Sequence, residues 1–81
     1  MNVPVRLFAA AKQIAGNDLV TLELSNQSTL AELRIALLNR YPELGPLQQH
    51  LRFSINAEYA SDEHAISEGD EIACIPPVSG G

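Results

Sequence analysis

Thr29-Leu30-Ala31-Glu32-Leu33-Arg34-Ile35-Ala36-Leu37-Leu38-Asn39-Arg40-Tyr41-Pro42 is the stretch on which the fold turns. Thr29 and Glu32 stand at the spacing of a capping box, in which each side chain satisfies the other residue's unpaired backbone amide. Leu30, Leu33, Leu37 and Tyr41 recur on one stripe at helical spacing, with Leu38 on its flank. Arg34 sits beside that stripe, where its stem is expected along the core edge and its head in water. Pro42 disfavours helical backbone in the residue before it, so the helix ends at or just before Tyr41. A single amphipathic helix of this kind needs an apolar layer to cover its stripe.

That layer is legible on both sides. Val3-Pro4-Val5-Arg6-Leu7-Phe8 alternates, with Val3, Val5 and Leu7 on one face and Arg6 and Phe8 on the other. Pro4 cannot donate to a ladder and belongs near the strand start. Ala9 to Ala15 reads as a short helical turn closed by Gly16. Asp18 to Leu24 forms a second strand with Val20, Leu22 and Leu24 on one face, so the first 24 residues make a wide hairpin. Beyond the helix, Glu43 to His50 reads as a connector with room for a single turn at Leu47-Gln48-Gln49. Leu51, Phe53 and Ile55 alternate inward on a third strand, and Ala57 to Ala60 holds a turn and a very short fourth. Ser61 to Ser67 is a polar link anchored by Ile66. Glu68-Gly69-Asp70 signals a turn, and Glu71 to Ile75 is the last strand. The expected architecture is a two-layer α+β domain of β-grasp (ubiquitin-like) type. It has a mixed sheet with the main helix packed on one face, and the first and last strands parallel side by side. Residues 1–76 form the domain and residues 77–81 a flexible, functional C-terminal tail.

Composition narrows the function. Eighty-one residues with 46% apolar content support one small core. The formal charge of −5 argues against nucleic acid and anionic membranes, both of which need a basic footprint. No stretch approaches the roughly 18 apolar residues of a membrane span, and no signal-peptide pattern opens the chain. One cysteine excludes an internal disulfide framework and fits a reducing compartment, so a cytoplasmic location is expected. All five bases, Arg6, Lys12, Arg34, Arg40 and Arg52, precede Phe53, after which come six acids and no base. That asymmetry reads either as steering toward a basic protein partner or as a solvating acidic surface.

No self-contained catalytic constellation is present. Cys74 with His50 or His64 would serve as nucleophile and base, but Cys74 shares the apolar strand face with Ile72 and reads as buried and inert. The two histidines stand in polar connectors without a second ligand, and no metal site is expected. Glu68, Asp70 and Glu71 read as a charged turn rather than an acidic site. No phosphate-cradling glycine motif occurs, so the chain is expected to bind no nucleotide or other cofactor itself. Outward apolar groups are more informative. If Ile72 and Cys74 face the helix, Ala73 and Ile75 face the other way, beside Phe8, as a partner-contact patch with Pro76 and Pro77 nearby.

The chain then runs Pro76-Pro77-Val78-Ser79-Gly80-Gly81. Two prolines favour an extended exit, and two glycines make a slim end carrying a free carboxylate. A frayed glycine end is the alternative reading of Gly-Gly alone. With Glu68-Gly69-Asp70-Glu71-Ile72-Ala73 before it, however, this ending resembles that of the molybdopterin synthase small subunits, the MoaD-type sulfur carriers of the ubiquitin-like group. The resemblance extends through the Leu7-Phe8-Ala9 strand end, the turn closed by Gly16, the Thr29 to Arg34 helix start and Ile55-Asn56. The chain departs from the family with Lys12-Gln13 where an Arg-Glu pair is frequent, and with Cys74-Ile75 where aromatics are frequent.

The resemblance implies that an E1-like enzyme adenylates the Gly81 carboxylate with ATP and that a sulfur donor converts it to a thiocarboxylate. The large synthase subunit then takes that sulfur onto cyclic pyranopterin monophosphate to build the dithiolene. Gly81 is the reacting group and Gly80 supplies clearance, while Phe8, Ile75, Pro76, Pro77, Val78 and Ser79 contact the partner. A tail of four residues reaches at most about 14 Å, so the body must dock while the end enters a pocket. A carrier for thiamine or tRNA thiolation, and a protein-conjugating modifier, are the alternatives.

Overall fold

A computed structural model describes residues 1–77, and the expected tail residues Val78, Ser79, Gly80 and Gly81 lie outside the described residues. The elements run β1 (Asn2–Leu7), α1 (Ala9–Ala15), β2 (Leu19–Glu23), α2 (Leu30–Arg40), a 3₁₀ helix (Pro42–His50), β3 (Arg52–Ile55), β4 (Glu58–Tyr59) and β5 (Ile72–Ile75). The strands form one mixed sheet in the order β2-β1-β5-β3-β4. β1 and β2 pair antiparallel as the expected hairpin. β5 lies between β1, to which it is parallel, and β3, to which it is antiparallel. This is the β-grasp arrangement read from the sequence.

Pro4 shows how residue type fixes register. The Leu7 amide donates to Asp18 on the β2 side and the Phe8 amide to Cys74 on the β5 side. By alternation the nitrogen of Pro4 faces β5, but pairing with β5 begins only at Val5 opposite Ile72. The missing donor therefore falls just before the parallel ladder and breaks none of its bonds.

The helix on which the sequence reading turned is built as expected. Thr29 Oγ1 accepts from the Glu32 amide at 3.4 Å, and Glu32 Oε1 accepts from the Thr29 amide at 3.1 Å. Leu30, Leu33 and Leu37 are buried against Val5, Leu7, Phe53, Ile72 and Cys74 in a single core. Tyr41 caps the helix with its amide on the Leu37 carbonyl, one residue before Pro42. Ile66 is buried as the anchor of its polar link, which also bonds back across Ser28 and Leu30.

Three local expectations change. Ala9–Ala15 is a full α-helix rather than a turn, ended by Gly16 at φ 76° with its amide on the Lys12 carbonyl. Pro42–His50 is a nine-residue 3₁₀ helix rather than a connector with one turn. Proline and glycine made this segment look irregular, yet Pro42 stands at its start, where no amide is needed. Fully buried Leu44 holds it to the core. Finally, the Arg34 head is docked rather than in water. Its guanidinium donates to the Leu51 carbonyl at 3.1 Å, the Gln48 carbonyl at 3.4 Å and Asp62 Oδ1 at 3.0 Å. It also lies 4.9 Å from the Phe53 ring centroid. One side chain thus ties α2 to the 3₁₀ helix, β3 and the Ser61–Ser67 link.

Candidate functional site

Alternation along each strand sends one set of side chains into the core and the other to the face away from α2. The register aligns that second set into rows. Leu19, Arg6, Ala73, Ser54 and Tyr59 lie side by side across all five strands. One step toward the end of β5, Ile75 stands opposite Arg52, with Phe8 on its other side. Because Ala73 and Ser54 are small and Phe8, Leu19 and Tyr59 are large, the face is hollowed into a groove of ≈ 700 Å³. Phe8 and Leu19 are each 46% exposed and Tyr59 61% exposed, although all three are large apolar or aromatic groups. Ile75 is half-buried, and both it and Phe8 line the groove. Such a contiguous apolar hollow on a sheet is the kind of surface that partners cover.

Phe8, Ile75 and Ala73 therefore share the face that alternation assigned to them. Pro77 is exposed, whereas Pro76 is buried against the body. Leu19 and Tyr59 join the groove and were not singled out as contact residues. Their signal was available in the same alternation, since Leu19 falls out of phase with Val20 and Leu22. Tyr59 sits on a two-residue strand too short to show a period. Arg52 stacks over the Tyr59 ring at 4.3 Å and fixes that wall.

The remaining sequence candidates have structural roles. Cys74 is fully buried in the core, and burial pushes its thiol up to about 11, with the Arg34 charge opposing weakly. A thiol held protonated and out of solvent is not a nucleophile. His50 and His64 are exposed, and among the described residues no group of three His, Cys, Asp or Glu side chains gathers. Asp70 closes its turn: Oδ2 accepts from the Ser67 amide at 2.8 Å and Oδ1 from the Asn56 side chain at 3.0 Å. The first of these bonds, then the second, holds its carboxyl below the usual 3.8. Asn56 completes the clamp by bonding Glu71 through both its amide, at 2.8 Å, and its Oδ1, at 2.9 Å. The acidic turn is thus a splice between the end of β3 and the start of β5. Among the described residues, no helix is long and apolar enough to cross a membrane.

Comparison with known proteins covers the whole chain. The sequence profile of the ThiS family matches residues 5–81. A molybdopterin synthase sulfur carrier subunit of Chlamydomonas reinhardtii is 34% identical over all of both chains. The small archaeal modifier protein 1 of Haloferax volcanii is 33% identical over 94% of this chain and 97% of its own. The crystal structure of that archaeal protein superposes over all of both chains with a TM-score of 0.89 at 29% identity. A chain from the complex of subunits 1 and 2 of the molybdopterin-converting factor of Helicobacter pylori does so with a TM-score of 0.71 at 27% identity.

Proposed function

This chain belongs to the ThiS family, and on that premise we propose that it is the sulfur-carrier subunit of molybdopterin synthase. The observation that carries the proposal is the placement of the apolar groove on β5, the strand that leads into Pro76-Pro77 and the Gly80-Gly81 end. A carrier that reacts through its terminus needs a body that docks and an arm short enough to be positioned by that docking. Phe8, Ile75, Ala73, Leu19 and Tyr59 form the docking face for the large subunit, with Pro77, Val78 and Ser79 contacting it along the arm.

The chemistry belongs to Gly81. Its carboxylate is a poor electrophile until an oxygen becomes a good leaving group. An E1-like enzyme supplies this by joining the carboxylate to the adenylyl group of ATP with loss of pyrophosphate. Hydrosulfide released by a donor protein then attacks the carbonyl carbon, the C–O bond to AMP breaks so that AMP departs, and the thiocarboxylate remains. In the large subunit two such sulfurs, one from each of two charged chains, are transferred to cyclic pyranopterin monophosphate to form the dithiolene, and water restores each chain's carboxylate. Neither Gly80 nor Gly81 has a side chain to obstruct these attacks. The chain supplies no catalytic group of its own, holds no cofactor, and works in the cytoplasm, where both enzymes and the pterin precursor meet it.

The test is intact mass spectrometry of the chain co-produced with its activating enzyme and sulfur donor. Replacement of one terminal oxygen by sulfur is expected, and it is abolished by deleting Gly80-Gly81. The same deletion is expected to stop dithiolene formation without lowering the melting temperature. An unmodified chain that supports full synthase activity would refute the proposal. The likeness to the archaeal modifier protein supports a second reading, in which Gly81 is joined to lysines of other proteins. High-mass adducts whose isopeptide remnant maps to Gly81 would favour it.

A further inference from the structure

Two cations without an ion-pair partner among the described residues stand on the open face of a chain whose formal charge is −5. Of the five bases, Arg34 is docked on Leu51 and Asp62, and Arg40 donates to the Thr21 carbonyl at 3.2 Å. Lys12 stands exposed on α1. The other two, Arg6 and Arg52, both lie on the open face. Arg6 occupies the central row between Leu19 and Ala73, and Arg52 stands opposite Ile75. Arg34 with Asp62 is the only ion pair among the described residues, so neither open-face guanidinium has an ionic partner there. Glu71 adds one carboxylate to the groove lining, at the start of β5 and four residues before Ile75, so this acid and Arg52 mark opposite ends of the face, with Arg6 in the row between.

We propose that Arg6 and Arg52 are specificity determinants of the docking face, selecting a partner surface on which carboxylates flank an apolar anchor. This rests on the docking reading above and gives it a chemical identity. The anchor fills the hollow over Ala73 and Ser54, against Phe8 and Ile75. One carboxylate meets Arg6 beside the hollow, and another meets Arg52 where its stacking on Tyr59 leaves the guanidinium edge free. The two cations stand on the strands either side of β5, Arg52 opposite Ile75 and Arg6 opposite Ala73 in the next row, so this diagonal fixes the rotation of the partner as well as its sign. A partner chosen by net charge alone would be basic. A partner chosen by this face is locally acidic, and that mismatch discriminates against other cationic proteins attracted to a chain of charge −5.

The experiment measures binding of the purified large synthase subunit to the full chain by calorimetry, in low and high sodium chloride. The variants are Arg6→Glu, Arg52→Glu and their combination, with Arg6→Gln and Arg52→Gln as milder forms and Ile75→Asp to test the face itself. Melting temperatures confirm that each variant is folded. Each reversal is expected to raise Kd about tenfold and the pair about a hundredfold. Added salt should restore affinity to the reversed pair by screening the new repulsion, and the glutamine forms should fall between. If the reversed pair binds as tightly as the parent while Ile75→Asp still abolishes binding, the face docks but the arginines do not select, and the inference fails. A reversed pair whose affinity only weakens further in salt also overturns it. If Ile75→Asp and the reversed pair are both without effect, the docking reading itself is wrong.

Discussion

Replacing Arg34 by methionine isolates the contribution of a single docked guanidinium, because methionine keeps an unbranched stem against the core and removes the head. Four interactions are lost, of which the long 3.4 Å bond to the exposed Gln48 carbonyl contributes about 0.5 kcal/mol. The Leu51 carbonyl belongs to a buried residue and loses its donor at 3.1 Å, costing about 1–2 kcal/mol. Contact with the Phe53 ring at 4.9 Å adds about 0.5–1 kcal/mol. The pair with Asp62 adds a few tenths, because the Asp62 side chain is 51% exposed and screened by water. Against these stands one gain: the Arg34 Nε is buried without an acceptor, and removing it recovers about 1 kcal/mol.

The net expectation for Arg34→Met is a destabilisation of about 2 kcal/mol, read by urea denaturation. For a domain of this size the matching fall in Tm is roughly 8–16 °C. Arg34→Lys should recover less than half of it, because a single ammonium cannot reach the Leu51 carbonyl and Asp62 in the same fork geometry. Asp62→Ala alone should cost under 1 kcal/mol. A loss below about 0.5 kcal/mol for Arg34→Met would refute the idea that the docked head, rather than its stem, matters. So would an Asp62→Ala variant as unstable as Arg34→Met, since the exposed ion pair would then supply most of the stabilisation.

Three further outcomes follow from local chemistry. Because the Asp70 carboxyl is held below the usual 3.8, its contribution to stability is complete above that value and is lost as pH falls through the lowered native value. Asp70→Asn should therefore flatten acid unfolding below pH 4 relative to the parent, measured by circular dichroism. Cys74, pushed from 9.0 to about 11, should resist thiol reagents in the folded chain at neutral pH, and stability should decline as pH rises from 9.0 through about 11. Ala57 holds φ 71° directly after Asn56 at φ 52°, so Ala57→Gly should raise stability by roughly 1 kcal/mol in urea titration.

Legibility in the sequence followed the strength of local signals. The helix was readable because a capping box, an apolar stripe and a following proline agree at Thr29, Leu30 to Leu37 and Pro42. Central β5 was readable because alternation at Ile72 to Ile75 separates core from surface without ambiguity. The 3₁₀ helix was not, since Pro42, Gly45 and Pro46 also mark irregular chain, and only burial of Leu44 decides between them. Docking of the Arg34 head was hidden for another reason. Two of its acceptors are the backbone carbonyls of Gln48 and Leu51, which carry no sequence signature, and the third, Asp62, lies 28 residues away in the chain. The same holds for the groove, where Phe8 and Ile75 were placed from alternation while the matching of Leu19 and Tyr59 into their row required strand order. Arg6 was visible as an outward residue, but that it has no ion-pair partner among the described residues is a property of the assembled sheet.

The position of β5 has a mechanical consequence. Load applied to the chain beyond Ile75 enters a strand hydrogen-bonded on both sides, to β1 and to β3. Since β1 runs parallel to β5 and begins at the opposite end of the sheet, tension between the two termini slides the ladders past one another. The bonds then share the force and rupture together, whereas an edge strand would peel one bond at a time. A partner that grips the C-terminal arm and pulls, or an unfoldase that engages it, therefore meets the most resistant part of the domain first.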